Sequence, residues 1–248
     1  MQSSLIKTVA TLGVATLVGA CGGVAEQQAS TPEGLFLGTD SLGRSQLLFV
    51  TSGGAYYSFY TTPNTTSLAG AIHGATLAFS GGTISTSSAN DLNIVSKTST
   101  TPNVTGTYTT AQNIALTYVY PDNSTITFNG TYNTGYQGIQ SISTLAGTYK
   151  GTLGSLEGTD TNTTFTIAVD GSIIGSSASG CTYRGTAAPL YKGNGYTINL
   201  TTGPAPCAVV AQTANGLAYL DATSKTLYFD TSLTSNPGDG LVFKGVQQ

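Results

Sequence analysis

Gly34-Leu35-Phe36-Leu37-Gly38-Thr39 returns later in the chain as Gly147-Thr148-Tyr149-Lys150-Gly151-Thr152, and this echo decides the reading of the fold. Each copy opens with glycine, carries an aromatic residue two places on, and closes on a second glycine. Each is followed by an apolar run, a tight turn and a further run. In the first half these are Leu47 to Val50, Gly53-Gly54 and Tyr56 to Tyr60. In the second they are Phe165 to Val169, Asp170-Gly171 and Ile173-Ile174. Gly-Gly and Asp-Gly supply the positive φ angles of two-residue hairpins. A motif recurring at this distance points to two related modules, 34–136 and 146–246.

Alternation carries the reading outward from there. Ile114, Leu116, Tyr118 and Tyr120 share one face, with Asn113, Ala115 and Thr117 on the other. Past the turn at Pro121 to Ser124, Ile126 and Phe128 point inward while Thr125 and Thr127 point to water. Tyr196, Ile198 and Leu200 alternate with Thr197, Asn199 and Thr201. Leu217 to Leu220 and Thr226 to Phe229 flank another turn, and Gly240 to Gly245 makes a closing strand. Period-two patterning bounded by turn residues is the mark of half-buried strands. The expectation is all-β: two similar antiparallel modules, each a small up-and-down barrel or sandwich of about eight short strands. A transmembrane barrel would need a lipid-facing apolar band, whereas the outward faces read as Thr, Asn and Ser. They belong in water, and the interface between the modules should be small.

Composition agrees. Charged residues make up 8% of the 248, and Gly reaches 32. Thr and Tyr suit a pleated surface, and Gly and Asn suit turns. The net charge of −3, with no basic run, excludes a nucleic-acid partner, which needs a cationic footprint to neutralise phosphates.

The N-terminus carries an address. Lys7 precedes the apolar run Val9 to Ala20, which is too short to span a bilayer as a mature helix. It ends in Leu17-Val18-Gly19-Ala20-Cys21, which resembles the lipobox of bacterial lipoprotein signal peptides. The resemblance implies a signal peptide over 1–20, cleavage before Cys21, and acylation of that cysteine. It also implies a lipidated tether over 21–33 and anchoring in the lipid bilayer, since two or more acyl chains hold where one does not. Gly22 after the acceptor, where Asp would signal retention, implies the outer membrane, with either face open.

With Cys21 lipidated, Cys181 and Cys207 form an even pair in an oxidising compartment. A disulfide between them would close a loop of roughly 27 residues and contribute about 3–4 kcal/mol. No Cys-x-x-Cys and no second histidine are present for a metal or redox role, and no cofactor is expected.

Residues 145 to 246 carry Gly171-Ser172-Ile173-Ile174-Gly175, Gly180-Cys181-Thr182-Tyr183-Arg184-Gly185 and Pro206-Cys207 before the closing strand. They resemble a domain of uncharacterised proteobacterial lipoproteins, which implies no activity. A lipid-tethered barrel opening with Gly-x-aromatic-x-Gly is also similar to the small barrels of neisserial surface lipoproteins. That similarity implies host-partner binding; the fuller Ala-x-Glu-x-Gly-Gly continuation is missing.

Candidate chemistry is sparse. His73 is the sole histidine and no Gly-x-Ser-x-Gly elbow accompanies it, so it reads as a strand-end residue with a backbone partner. Asp40, Asp91, Asp122, Asp170, Asp221 and Asp239 fall at turns, where their side chains cap the backbone. Tyrosine is the remaining signal, with fourteen residues and no tryptophan. Tyr56, Tyr57, Tyr60, Tyr118 and Tyr120 cluster on two hairpins. They are candidate contacts for a protein or glycan partner, against the simpler reading of good strand residues at a barrel rim. The functional expectation is a non-catalytic envelope lipoprotein that binds a partner or is structural. The alternatives are a glycan hydrolase using two carboxylates, to be recognised by acids facing across a cleft, and a small-ligand carrier with an internal cavity.

Overall fold

The computed structural model describes residues 31–86, 89–138 and 140–248. Cys21, the signal segment and most of the tether lie outside the described residues. Eleven strands make a first sheet: β1 (Gly34–Asp40), β2 (Ser45–Val50), β3 (Tyr56–Thr61), β4 (Leu68–Gly74), β5 (Ala78–Ser80), β6 (Thr83–Thr86), β7 (Asn90–Asn93), β8 (Thr98–Thr100), β9 (Asn103–Thr109), β10 (Asn113–Val119) and β11 (Thr125–Asn133). Their order is β5-β6-β9-β10-β11-β1-β2-β3-β4-β7-β8, a curled half-barrel. Eight more close into an antiparallel barrel: β12 (Gly147–Gly154), β13 (Thr159–Ile167), β14 (Ser172–Ser176), β15 (Thr182–Pro189), β16 (Tyr196–Thr202), β17 (Thr213–Asp221), β18 (Thr226–Leu233) and β19 (Gly240–Gln247).

The all-β expectation holds, and the second half is an up-and-down barrel with strands in chain order. The first half departs from it, with eleven strands in an open sheet. The difference lies in β5 to β8, three- and four-residue strands of mostly Ser, Thr and Asn, which have too few apolar residues to register as alternation.

The repeated glycine motif has one physical reason in both halves. Gly38 of β1 faces Gly130 of β11, and Gly151 of β12 faces Gly245 of β19. A Cβ on Gly38 would lie 1.9 Å from the Asn129 carbonyl oxygen, and one on Gly151 would lie 2.0 Å from that of Lys244. The first strand of each half thus packs backbone to backbone against the last. Phe36 and Tyr149, two residues before, fill the two interiors. The following turns also match: within its own turn only Gly54, or only Gly171, takes the left-handed φ, at +84° and +85°, Gly171 directly before β14 and Gly54 separated from β3 by Ala55. This is the three-residue loop with a glycine bulge, not the two-residue turn expected.

The barrel is filled. Phe165 meets Phe229 and Phe243 at ring-centroid distances of 5.2 and 5.0 Å. A short helix α1 (Ile142–Leu145) lies over one end, with Leu145 in the core and its carbonyl accepting from the Tyr149 hydroxyl at 2.8 Å. Toward the other end Cys181 and Cys207 form a disulfide, Cα atoms 4.4 Å apart, joining the start of β15 to the loop after β16.

Candidate functional site: the seam between sheet and barrel

The outer face of the first sheet is not uniformly hydroxyl-rich. Registers place Leu35, Phe49, Tyr57, His73 and Asn90 in one row across β1, β2, β3, β4 and β7. Leu37, Leu47, Phe59, Ala71 and Leu92 form the next row. The barrel answers with its own outward rows across β17, β18 and β19: Leu217, Asp230 and Val242, then Tyr219, Tyr228 and Lys244. Phe59 packs on Tyr228 at 5.5 Å and Phe49 on Tyr219 at 6.0 Å, while Leu92 and Ile94 close over Val242. Strands β2 and β3 are therefore apolar on both faces, a pattern of full burial. The interface is an extended apolar seam, where a small contact had been expected.

His73 sits in this seam. Its Nδ1 lies 2.7 Å from Asp230 Oδ2 and its Nε2 lies 2.9 Å from Ser232 Oγ. The ring stacks on Tyr57 at 5.8 Å. The partners are side chains of the other half, so the backbone partner expected from sequence is replaced by an ion pair. Asp230 and Ser232 are two apart on β18 and so share a face. The Asp230 side chain has no exposure. Burial alone would lower the His73 pKa, but the charge of Asp230 and the hydrogen bond to it outweigh that, and the pKa lies above the ordinary histidine value. Aspartate, imidazole and hydroxyl are thus connected as in a serine-hydrolase triad, beside a hollow of about 450 Å³. Ser232, however, lies within a strand paired on both sides, opposite Asn215 and Gly240. Such a ladder ties up the N–H groups that a hydrolase aims at the reacting oxygen. The arrangement holds two lobes together.

Four of the five candidate tyrosines converge inside the first sheet. Tyr56, Tyr60 and Tyr118 are fully buried, and Tyr120 is half-buried beside them. The Tyr60 and Tyr120 hydroxyls each donate to Asp91 at 2.6 Å. Asp40 accepts from Arg44 Nε at 2.5 Å and from Gln46 Nε2 at 2.7 Å, and the Arg44 guanidinium lies 4.0 Å from the Tyr60 ring centre. Burial raises the Asp91 pKa, with the two tyrosine hydrogen bonds and Arg44 acting against it. Burial likewise pushes the Tyr56, Tyr60, Tyr118 and Tyr120 hydroxyls up. Tyr57 is on the opposite face, half-buried in the seam. The rim placement expected for these residues is corrected: alternation named the face, and the face is the interior. Asp40 and Asp91 belong to this internal network and do not face each other across a cleft.

Among the described residues no group of three His, Cys, Asp or Glu side chains is placed to hold a metal, and no helix is long and apolar enough to cross a membrane. The seam itself was missed from sequence. Its one signal was Tyr228, Asp230 and Ser232 on a single outward face, but the histidine that Asp230 and Ser232 meet lies 157 and 159 positions away.

No known family matches the chain, so the resemblance of residues 145 to 246 to a lipoprotein domain has no family match behind it, and no curated protein matches it either. Among solved structures the chain is similar to transferrin binding protein B from Haemophilus parasuis Hp5 (double mutant; 12% identity, TM-score 0.32) and from serogroup B Neisseria meningitidis (isotype 1; 11% identity, TM-score 0.32). It is also similar to intact Ap-TbpB with its N and C lobes, at 10% identity and TM-score 0.28. Each match covers 83% of this chain and 66% of the other, so the chain spans just under two thirds of the length of these proteins.

Proposed function

We propose that this chain is a cell-envelope lipoprotein, anchored in the outer membrane through acyl groups on Cys21, whose body works by presenting a surface to a protein or glycan partner. The two halves, 34–136 and 146–246, act as lobes of one rigid unit. The observation that carries the reading is the engagement of His73. Both ring nitrogens are committed to joining the lobes, and the buried acids Asp40 and Asp91 are committed to the interior of the sheet. What the body offers outward is contact area. Tyr191, 95% exposed beside Lys192 on the loop after β15, is contact area of the kind that suits recognition.

The anchor is tested by Cys21→Ser. The variant is expected to lose acyl labelling and to leave the membrane fraction as a folded protein. Continued labelling would overturn the anchoring. Protease shaving of intact cells then assigns the face: cleavage of the wild-type body places it outside, and protection places it in the periplasm.

A further inference from the structure

The seam does not close along its whole length. The apolar row is covered by the barrel at Leu92, Ala71 and Phe59 and in part at Leu47, and beyond Leu47 the cover stops at Leu37. The result is a groove of about 360 Å³, within the range of small-ligand sites. Leu37, Leu47, Phe59 and Leu68 form its sheet wall and Tyr228 and Lys244 its barrel wall. Leu37 remains 40% exposed here, the uncovered end of a row otherwise buried.

Lys244 gives the groove its polarity. Its ammonium lies 5.7 Å from the Tyr228 ring centre and donates to the Thr66 carbonyl at 2.7 Å, which leaves two of three donors free. Among the described residues no carboxylate pairs with it. Asp221, which shares the groove, is turned into its own loop, accepting from Thr223 N, Ser224 N and Ser224 Oγ. Burial lowers the Lys244 pKa. A half-buried cation without a counter-ion, at the edge of an apolar wall, is complemented by an anion that carries its own apolar surface.

We infer that this groove binds a carboxylate amphiphile of the free fatty acid class, with the carboxylate on Lys244 Nζ and the alkyl chain along Leu47 and Leu37. A peptide fits less well. Strands β1, β2, β3, β18 and β19 are each paired on both sides, so neither wall has main-chain groups free to hold a peptide backbone. A phosphate dianion calls for more donors than one ammonium supplies. This goes beyond the display function, and its failure would leave the anchor and the partner surface untouched.

The test uses the full exported protein carrying Cys21→Ser, with dansyl-labelled undecanoic acid as the fluorescent probe. Laurate, dodecanol and dodecyltrimethylammonium, matched in chain length, serve as competitors. Laurate is expected to displace the probe about tenfold more effectively than dodecanol, the ratio expected of one charge-assisted hydrogen bond, and the ammonium least of all. Lys244→Met keeps the stem against Tyr228 and should bring laurate down to the level of dodecanol. Leu37→Asp should abolish displacement by both. Equal displacement by laurate and dodecanol, unchanged laurate binding in Lys244→Met, or absence of probe binding would each overturn the inference. The competitor series on the otherwise unaltered protein decides it even if a groove variant fails to fold.

Discussion

His73 of the sheet and Asp230 of the barrel stand 2.7 Å apart, nitrogen to oxygen, across the seam that joins the two lobes. A buried pair of this kind is weak evidence for net stability, but removing one partner strands the other without solvent. Asp230→Asn and His73→Gln are each expected to cost about 3–5 kcal/mol, and the double variant less than the sum. Urea melts of the four proteins check this; additive losses would mean that the two groups do not interact.

The pair also sets a pH dependence. The folded His73 pKa is raised above its unfolded value, which is about 6.5. The charged imidazole therefore contributes stability that is fully present below that unfolded value and is lost as pH rises through the folded one. Melts from the mildly acidic to the alkaline range should show stability falling with pH, and His73→Gln should flatten that fall. An identical pH profile in the variant would assign the fall to another group.

Connectivity alone would let Ser232 serve as a nucleophile, and the display reading says that it does not. The protein is expected to take no adduct from a fluorophosphonate probe, as judged by intact mass. An adduct on Ser232 that disappears in His73→Gln would replace the display function with hydrolysis.

How far the fold could be read in advance depended on where each residue's partner lies. The hairpins at Leu116 to Phe128 and at Leu220 to Leu227 were legible because alternation and turn residues are local. Gly38 and Gly151 were legible as a repeat although their partners, Gly130 and Gly245, are far along the chain, because the same steric requirement left the same residue twice. The seam was not legible. Leu47 and Phe49 look like any core strand, and nothing nearby tells that Leu48 and Val50 face the sheet interior while Leu47 and Phe49 face another lobe. The tyrosines failed for a related reason: period two sorts a strand into two faces without saying which is wet, as Tyr56 and Tyr57 illustrate.

The glycine pairs make a direct prediction. Gly38→Ala and Gly151→Ala each place a methyl group against a backbone carbonyl of the facing strand, which cannot yield as a flexible side chain can. Both variants should lose more than about 3 kcal/mol, the range of overpacking and beyond. Gly158→Ala, where the added carbon meets open space, should fall within about 0.5 kcal/mol of wild type.

The disulfide joins Cys181 and Cys207 across a separation of 26 residues. Replacing both with serine should lower stability by about 3–4 kcal/mol on the loop-entropy argument. Thermal melts with and without reductant provide the measure, and mass mapping of the exported protein should find the bridged peptide. Two free thiols in that protein would contradict the assignment.

The seam finally decides how the halves behave apart. A fragment of residues 144–248 retains all eight barrel strands, the buried residues of the barrel interior and the disulfide, and gives up only the first half of α1, with Ile142 packed at the edge of that core. It also bares Leu217, Tyr219, Tyr228 and Val242 on one outward face, which the first sheet covers in the whole protein. An apolar patch of that kind on an otherwise hydroxyl-rich surface drives association. The fragment is therefore expected to fold, with near-ultraviolet dichroism of packed tyrosines, yet to self-associate with concentration in sedimentation velocity. Tyr219→Ser with Tyr228→Ser should return it to a monomer, because both side chains point away from the barrel interior. The same double change in the whole protein should loosen the lobes without melting either one, seen as faster hydrogen exchange along β2 and β3. A fragment that stays unfolded with its disulfide intact would show that the barrel needs the sheet in order to form, and that the seam belongs to one continuous core.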